Sequence, residues 1–264
     1  MQQIKIKSIT KIPRTDRYDL TVSATNNFFA NGILIHNTSA VFSNVLTKRK
    51  LSFWERVKKF FGSNVPTTEY SKMYSSRTVV KSIENKFHIP EGGYYNSDIW
   101  GKVFEDLKPV LFEGYTLYGE IVGYTGDKMI QKGYDYGCKP GEHKFLVYRI
   151  TETRQDGTVE EYGWHEIQSF CTEHGLQTVP LLWYGTIKNF MENSIYSGLE
   201  KESFLNKLKR NFLEQNCVFC KNKVPAEGIC IRNESGNKIA YKLKSNLFLE
   251  KESKDLDSAT EVIE

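Results

Sequence analysis

The sequence predicts an α+β domain built on an antiparallel sheet, with a short β-rich segment before it. Strand-like and helix-like runs follow one another without the strict βαβ order of a parallel sheet. Two strand-like runs are joined through Gln155-Asp156-Gly157, which is typical of an antiparallel hairpin. In addition, 39% of the 264 residues are hydrophobic, which is enough to bury a core and too many for a disordered chain.

The first elements are strands and one helix. Residues 1–37 read as three short strands separated by turn residues, and three strands of this length cannot close a core alone. The spacing of Leu51, Trp54, Val57 and Phe61 then predicts one face of a helix. We expect that face to pack on the domain, with the lysines toward RNA or solvent; a membrane-binding helix is the alternative.

The rest of the chain continues the mixed pattern. The predicted elements are strands within 108–126 and 142–167, helices over 164–175 and 192–216, a hairpin over 224–245, and an acidic tail over 251–264 that is a helix or a frayed end. Three segments are therefore expected: the β-rich segment over 1–37, a domain over 38–250 and the acidic tail over 251–264.

Charge and cysteine content limit the class of protein. A net charge of +4 does not by itself indicate a nucleic-acid binder, but residues 48–59 hold six basic residues against one acidic residue, enough to attract a phosphate backbone. No apolar run is long enough to span a bilayer, and the first residues lack the layout of a signal peptide. Five scattered cysteines predict reduced thiols. We expect a cytoplasmic protein with no membrane partner.

The segment before Thr38 resembles a protein-splicing element. It holds Tyr18-Asp19-Leu20 and Asn31-Gly32, and it ends in His36-Asn37 before a hydroxyl residue. Since it also begins at Met1, it resembles the short C-terminal fragment of a split intein, with a Hint-type β-rich fold. This resemblance covers essentially all of residues 1–37.

The chemistry of splicing requires these residue types. The side-chain amide of Asn37 can attack its own carbonyl and break the bond to Thr38, while His36 polarises that carbonyl or supplies a proton. Thr38 offers the hydroxyl that accepts the acyl chain of the partner. The resemblance implies that Asp19 coordinates these steps. Asn26 stands where the intein family commonly has a histidine.

Residues 38–250 resemble the adenylyltransferase domain of phage-type ATP-dependent RNA ligases, in the covalent nucleotidyltransferase superfamily. Thr38 to Phe42 match the residues that follow the Lys-x-(Asp/Asn/His)-Gly nucleophile motif. Gly119-Glu120 matches the Gly-Glu strand motif, and Glu227-Gly228 matches the Glu-Gly motif. Lys242 and Lys244 match the paired lysines. The order of the four motifs is more specific than any one of them.

The resemblance implies a reaction and assigns roles. A lysine attacks the α-phosphate of ATP to form lysyl-AMP, AMP passes to an RNA 5′-phosphate, and a 3′-hydroxyl displaces it to seal the strand. Lys242 and Lys244 would grip the α-phosphate, and Glu227 and Glu120 would hold Mg²⁺ or Mn²⁺, with Glu120 alternatively on the ribose. Fixed cations and a metal stabilise the charge that develops on phosphorus oxygens.

Two nucleotide contacts follow from the same resemblance. Arg77 matches the arginine that contacts the nucleotide and the RNA end. Phe145 is the first choice for the ring that stacks on adenine. Tyr148 competes with it, because the two residues lie on opposite faces of a regular strand.

The nucleophile itself is missing from the sequence. No Lys-x-(Asp/Asn/His)-Gly precedes Thr38, because residues 33–37 occupy that position. The prediction is a precursor whose N-terminal partner, a chain with an intein fragment and the start of a ligase, supplies the lysine by trans-splicing. The isolated chain is predicted to be inactive in self-adenylylation. If the chain is phage-encoded, the compartment is the host cytoplasm.

Other functions remain as alternatives. The chain could bind nucleotides or RNA ends without catalysis, or it could be a DNA ligase or capping-type nucleotidyltransferase. Two pairs have zinc-like internal spacing, Cys171 with His174 and Cys217 with Cys220. The second pair runs directly into the Glu-Gly motif, so ordinary family sequence is favoured over zinc.

Overall fold

A computed structural model describes residues 39–77, 79–84, 86–88, 98–191, 201–235 and 238–260. The strands are β1 (Ser39–Lys48), β2 (Thr68–Ser76), β3 (Val80–Ile83), β4 (Phe87–His88), β5 (Tyr115–Thr125), β6 (Lys128–Met129), β7 (His143–Thr153), β8 (Val159–Glu161), β9 (Gln177–Thr178), β10 (Gly228–Arg232) and β11 (Ala240–Lys244). The helices are α1 (Phe53–Phe60), α2 (Ile99–Leu107), α3 (Trp164–Glu173), α4 (Ile187–Phe190), α5 (Lys201–Phe212) and α6 (Asn246–Thr260).

One large sheet organises the described residues. Its strands follow the order β4-β3-β2-β1-β5-β7-β8, and each neighbouring pair is antiparallel. Two short strands join off this path: β6 pairs with β5, and β9 runs parallel to β7. The predicted antiparallel α+β class is therefore confirmed for this part of the chain, with β9 as a parallel exception.

The core lies on one face of this sheet. Phe42, Leu117, Val147 and Ile150 from the central strands are completely buried. They form one cluster with apolar residues of α2 and α3, where buried residues recur at helical spacing. Because side chains alternate along a strand, the residues between these core positions point to the other face of the sheet.

The hairpin of β10 and β11 forms a separate two-stranded sheet. Its apolar side, with Ile229 and Leu243, packs in a second cluster with Leu208 of α5. Its tip reaches the main sheet, since Glu234 accepts a hydrogen bond from the backbone N–H of Trp164 (2.9 Å) and Arg232 donates to the carbonyl of Tyr162. These contacts hold the hairpin beside the sheet.

Most of the predicted elements are present. The hairpin through Gln155-Asp156-Gly157, the helix beginning at Trp164 and the hairpin over 224–245 are confirmed. Lys108–Val110 form a short 3₁₀ helix instead of a strand, because Pro109 lacks the N–H that a strand ladder needs. Residues 251–260 of the acidic tail belong to α6, which starts at Asn246 and crosses position 250 without interruption, and residues 261–264 lie outside the described residues.

The helix expected at 51–61 is confirmed as α1, but its expected packing is wrong. No residue of α1 is buried. Its aromatic residues are exposed, with 72% of Trp54 and 85% of Phe60 accessible to solvent. None of the helices in the described ranges combines the length and hydrophobicity that crossing a membrane requires.

Candidate functional site

Glu120 and Ser39 meet on the face of the sheet opposite the core. β1 pairs with β5 so that Ser39 lies directly across from Glu120. The hydroxyl of Ser39 donates a hydrogen bond to the Glu120 carboxylate, with 2.6 Å between Oγ and Oε1. The central strand β1 therefore begins at the Gly-Glu motif.

Gly119 is required by a close approach of β7. A Cβ at Gly119 would lie 2.3 Å from Cε2 of the Phe145 ring and 2.6 Å from the carbonyl oxygen of Leu146. No side chain fits there without moving the backbone of β7. The glycine of the Gly-Glu motif thus allows the two strands to approach on the core side, while Glu120 faces the opposite side.

The paired lysines share one face of the β10–β11 hairpin. Lys242 and Lys244 are two residues apart on β11, and Cys230 pairs directly with Lys242. Ile229 and Leu243 alternate with them and face the second core cluster. Strand alternation therefore places both ammonium groups on the side away from that core.

Lys242 connects the Glu-Gly motif with the Gly-Glu motif. Its ammonium forms an ion pair with Glu227 (2.5 Å between Nζ and Oε1). Desolvation alone would lower the pKa of Lys242, but the charge and hydrogen bond of Glu227, with further contributions from Cys230 and Glu120, raise it. About half of the Lys242 side chain remains accessible (51%), so solvent still reaches this side chain beside Glu227. Lys242 therefore interacts electrostatically with both Glu227 and Glu120, which belong to different sheets or their edges.

Backbone contacts fix the spacing between Glu227 and Lys244. Gly228 pairs with Lys244, and the N–H of Ser245 donates to the carbonyl of Glu227 (3.0 Å). Glu214 supports this junction, because its carboxylate accepts hydrogen bonds from Asn246 N–H (2.8 Å), Leu247 N–H (3.0 Å) and the hydroxyl of Ser245 (3.2 Å). Those donors, the Asn246 N–H first, lower the pKa of Glu214.

Tyr148 lies beside Glu120, whereas Phe145 lies on the core side. Burial, followed by the negative charge of Glu120, raises the pKa of Tyr148 to about 12, while the charge of Arg149, a hydrogen bond with Ser39 and the charge of Arg77 act in the opposite direction. Phe145 packs edge-to-face against Phe42, with 4.9 Å between ring centroids, and belongs to the border of the main core cluster. The structure thus brings Tyr148, Arg77 and Glu120 together and places Phe145 on the other face.

A β-bulge in β7 explains this arrangement. Tyr118 pairs with Arg149 and the next residue, Gly119, pairs with Val147, so Tyr148 is an extra residue without a partner on β5. On the two sides of the bulge, Val147 and Ile150 both face the core although they are three residues apart.

The described residues contain no group of three or more His, Cys, Asp or Glu side chains that could hold a metal ion. Cys171 is buried in the main core, and His174 packs against the rings of Phe112 and Phe170. Cys217 and Cys220 border a third apolar cluster around Tyr134. The zinc-like pairs therefore do not form a common site within these ranges.

Five residues of the splicing hypothesis lie outside the described residues: Asp19, Asn26, His36, Asn37 and Thr38. The first described residue after them is Ser39, which already contacts Glu120.

Sequence reasoning missed three residues that contribute to the site. Ser39 lies in the matched stretch 38–42 but was given no role, Cys230 was not singled out, and only strand pairing brings them to Glu120 and Lys242. Glu214 is distant in sequence from the hairpin, and its backbone φ of 46° is unusual for a residue with a side chain. No local pattern would have identified these three.

Comparison with known proteins gives one family. A search among curated proteins finds no match to the chain. The model of the RNA ligase family matches residues 59–244, which is more than two thirds of the sequence. This range contains Arg77, Glu120, Glu227, Lys242 and Lys244, and the structure places Lys242 near both Glu227 and Glu120. The chain therefore belongs to the RNA ligase family.

Proposed function

We propose that the chain is the precursor of an ATP-dependent RNA ligase that becomes active when a partner, joined by trans-splicing, supplies the nucleophilic lysine. The ligase half carries the groups that bind phosphate, and a segment ending in Lys-x-(Asp/Asn/His)-Gly would replace residues 1–37. The family match supports joining of RNA ends over DNA joining or capping.

The observation that carries the proposal is the position of Ser39. β1 enters the sheet at Ser39, and the Ser39 hydroxyl contacts Glu120. In the sequence, Ser39 directly follows Thr38, which itself follows His36-Asn37. A segment joined at Thr38 would therefore end beside Glu120 and within reach of Lys242. The missing amine and the phosphate-binding cations would then be close together.

The chain's own residues have distinct roles in AMP transfer. Lys242, held by Glu227, and Lys244 would bind the α-phosphate and neutralise the negative charge that develops on its oxygens. Tyr148 and Arg77 would contact the nucleotide near Glu120. In this role, Glu120 would orient the ribose or help to hold a metal.

Mg²⁺ or Mn²⁺ fits the acidic residues near Lys242. Glu120 and Glu227 both influence Lys242, so two carboxylates lie near one phosphate-binding group. Mg²⁺ typically binds one or two carboxylates together with substrate phosphates. Bound there, the ion would reduce the negative charge of the phosphates toward the attacking amine.

The test measures covalent labelling with AMP and formation of the joined polypeptide as two separate readouts. The chain is incubated with radiolabelled ATP, alone and with an N-terminal partner that carries an intein fragment after Lys-x-(Asp/Asn/His)-Gly. We expect covalent AMP on the joined product, none on the 264-residue chain alone, and no joined product from Asn37→Ala. A stable AMP adduct on the chain alone would contradict the dependence on a partner. ATP binding without AMP transfer by the joined product would instead indicate a binding protein.

A further inference from the structure

The α1 patch, which comprises Phe53, Trp54, Phe60 and Phe61, is an exposed aromatic surface. Between 71% and 85% of each of these residues is accessible to solvent. They form two edge-to-face pairs, Phe53 with Trp54 and Phe60 with Phe61, each with 5.5 Å between ring centroids. Contiguous exposed apolar surface of this kind marks an interaction site.

Basic residues surround the α1 patch. Lys48, Lys50, Arg56, Lys58 and Lys59 are all exposed. The acidic residue of this stretch, Glu55, is held by Arg49 at 2.6 Å, so its charge is compensated. The surface therefore offers aromatic rings together with uncompensated positive charge, which complements a polyanion that also has flat apolar groups.

The helix is ordered before any partner binds. Ser52 and Glu55 form a capping box at its N-terminus. Arg49 connects it to the strand ladder, with its side chain donating to the carbonyl of Pro66 (3.1 Å) and its N–H donating to the carbonyl of Thr67 (2.9 Å). A ligand that stacks on these rings therefore does not have to fold the helix first.

The distance from the candidate site follows from β1. This strand starts at Ser39, beside Glu120, and ends at Lys48, just before α1. At about 3.3 Å per residue, the two ends lie about 30 Å apart. A stacked nucleic-acid strand, with about 3.4 Å per nucleotide, covers that distance with about nine nucleotides.

We propose that α1 binds single-stranded RNA about nine nucleotides away from the end that is joined. Bases stack on Trp54 and the phenylalanine rings, and phosphates lie against the lysines and Arg56. This inference rests on the proposed joining of RNA ends and adds a second contact on the same substrate.

RNA fits better than the other possible occupants. The family to which the chain belongs acts on RNA, and the basic residues lie on both sides of the aromatic pairs in sequence. The exposed part of α1 consists of aromatic pairs interleaved with lysines, which is the combination that single-stranded nucleic acid binds by stacking and charge. An anionic membrane and a second copy of the chain remain as outcomes of the test.

The experiment measures how affinity grows with RNA length. Fluorescence anisotropy follows the full chain binding to labelled, unstructured, 5′-phosphorylated RNAs of about 6 and about 20 nucleotides, lengths that fall on either side of the estimated span. We expect Trp54→Ala to weaken binding of the longer RNA at least about fivefold, the lower range for loss of one stacked base. Binding of the shorter RNA should not change. Lys58→Glu with Lys59→Glu should also reduce the salt dependence of binding to the longer RNA.

Matched variants separate recognition from folding. Tyr184→Ala removes an exposed ring outside α1, and Lys139→Glu reverses an exposed charge outside α1. Neither variant should reduce the increase in RNA affinity from the shorter to the longer RNA. Trp54→Tyr should restore most of it, because the ring is retained. Circular dichroism melts should be unchanged for the Trp54 variants, since no residue of α1 is buried.

Several results would overturn the inference. One is that Trp54→Ala weakens binding of both RNA lengths equally, and another is that it does not weaken binding of the longer RNA. The other two are Trp54-dependent binding of anionic vesicles but not of RNA, and a dimer in sedimentation that Trp54→Ala dissociates. The outcome is independent of AMP transfer. Loss of α1-dependent RNA binding with retained AMP labelling after joining rejects only this inference, and the reverse result rejects only the proposed function.

Discussion

Gly228 lies so close to Leu243 that no side chain fits between them. A Cβ at Gly228 would sit 2.0 Å from the carbonyl oxygen of Leu243, and its φ of 149° is in the region that favours glycine. Because Gly228 pairs with Lys244 and follows Glu227, this contact sets the distance between the acidic residue and the lysines.

Replacing this glycine should therefore damage both stability and activity. We expect Gly228→Ala to lower the free energy of unfolding by about 2–4 kcal/mol, because backbone strain adds to the clash with Leu243. Urea unfolding measures this change. Gly141→Ala is the control, since Gly141 also has a positive φ (85°) but no heavy atom within 4 Å of its Cβ position. Equal losses in the two variants would show that the close approach has no effect of its own.

Neutralising Glu227 should slow AMP transfer. In the joined protein, Glu227→Gln should reduce the rate of adenylylation about 10²-fold, comparable to loss of one preorganised group that stabilises developing charge. The physical reason is that the amide no longer fixes the Lys242 ammonium or raises the pKa of Lys242. Rates are measured with labelled ATP in single turnover. Glu250→Gln, at an exposed position of α6, should leave the rate unchanged.

Replacing Phe145 should mainly affect stability, whereas replacing Tyr148 should mainly affect ATP binding. Phe145→Leu should lower the free energy of unfolding by about 1 kcal/mol, because it loosens the packing on Phe42, with little effect on ATP affinity. Tyr148→Leu should weaken ATP binding more than it lowers stability, because Tyr148 lies beside Glu120 and Arg77. Calorimetric titration with ATP and thermal melts measure the two effects. The opposite pattern would support Phe145 as the adenine contact.

Glu214 should contribute to stability in a defined pH range. Its folded pKa is lower than its unfolded value of about 4.3. The contribution is therefore fully present above pH about 4.3 and is lost as the pH falls through the lower folded pKa. Urea midpoints from pH 6 to pH 3 should show a deficit for Glu214→Gln that shrinks toward acid. Glu250→Gln controls for the loss of a surface carboxylate, and a deficit of constant size would contradict the assignment.

The part of the site that follows local pattern could be predicted from sequence. The Gly-Glu and paired-lysine motifs of the family resemblance point to Glu120 and Lys242, and the Asp156-Gly157 turn predicts the hairpin of β7 and β8. The rest depends on contacts between distant segments. The Ser39–Glu120 pair depends on which strands become neighbours, and the exposure of Trp54 depends on how α1 lies relative to the rest of the chain. Amphipathic spacing indicates a helix but not what covers it.

The extra residue in β7 has a consequence for how the chain tolerates change in length. Residues on the two sides of Tyr148 follow the alternation in opposite phase, so both Val147 and Ile150 reach the interior. Deleting Tyr148 would leave Val147 and Ile150 two positions apart, so Phe145, Val147 and Ile150 would all stay on the core side in one regular phase. The fold is thus expected to tolerate the loss of Tyr148 itself, whereas deletion of Leu146 would make Phe145 and Val147 adjacent and force one of them off the core side.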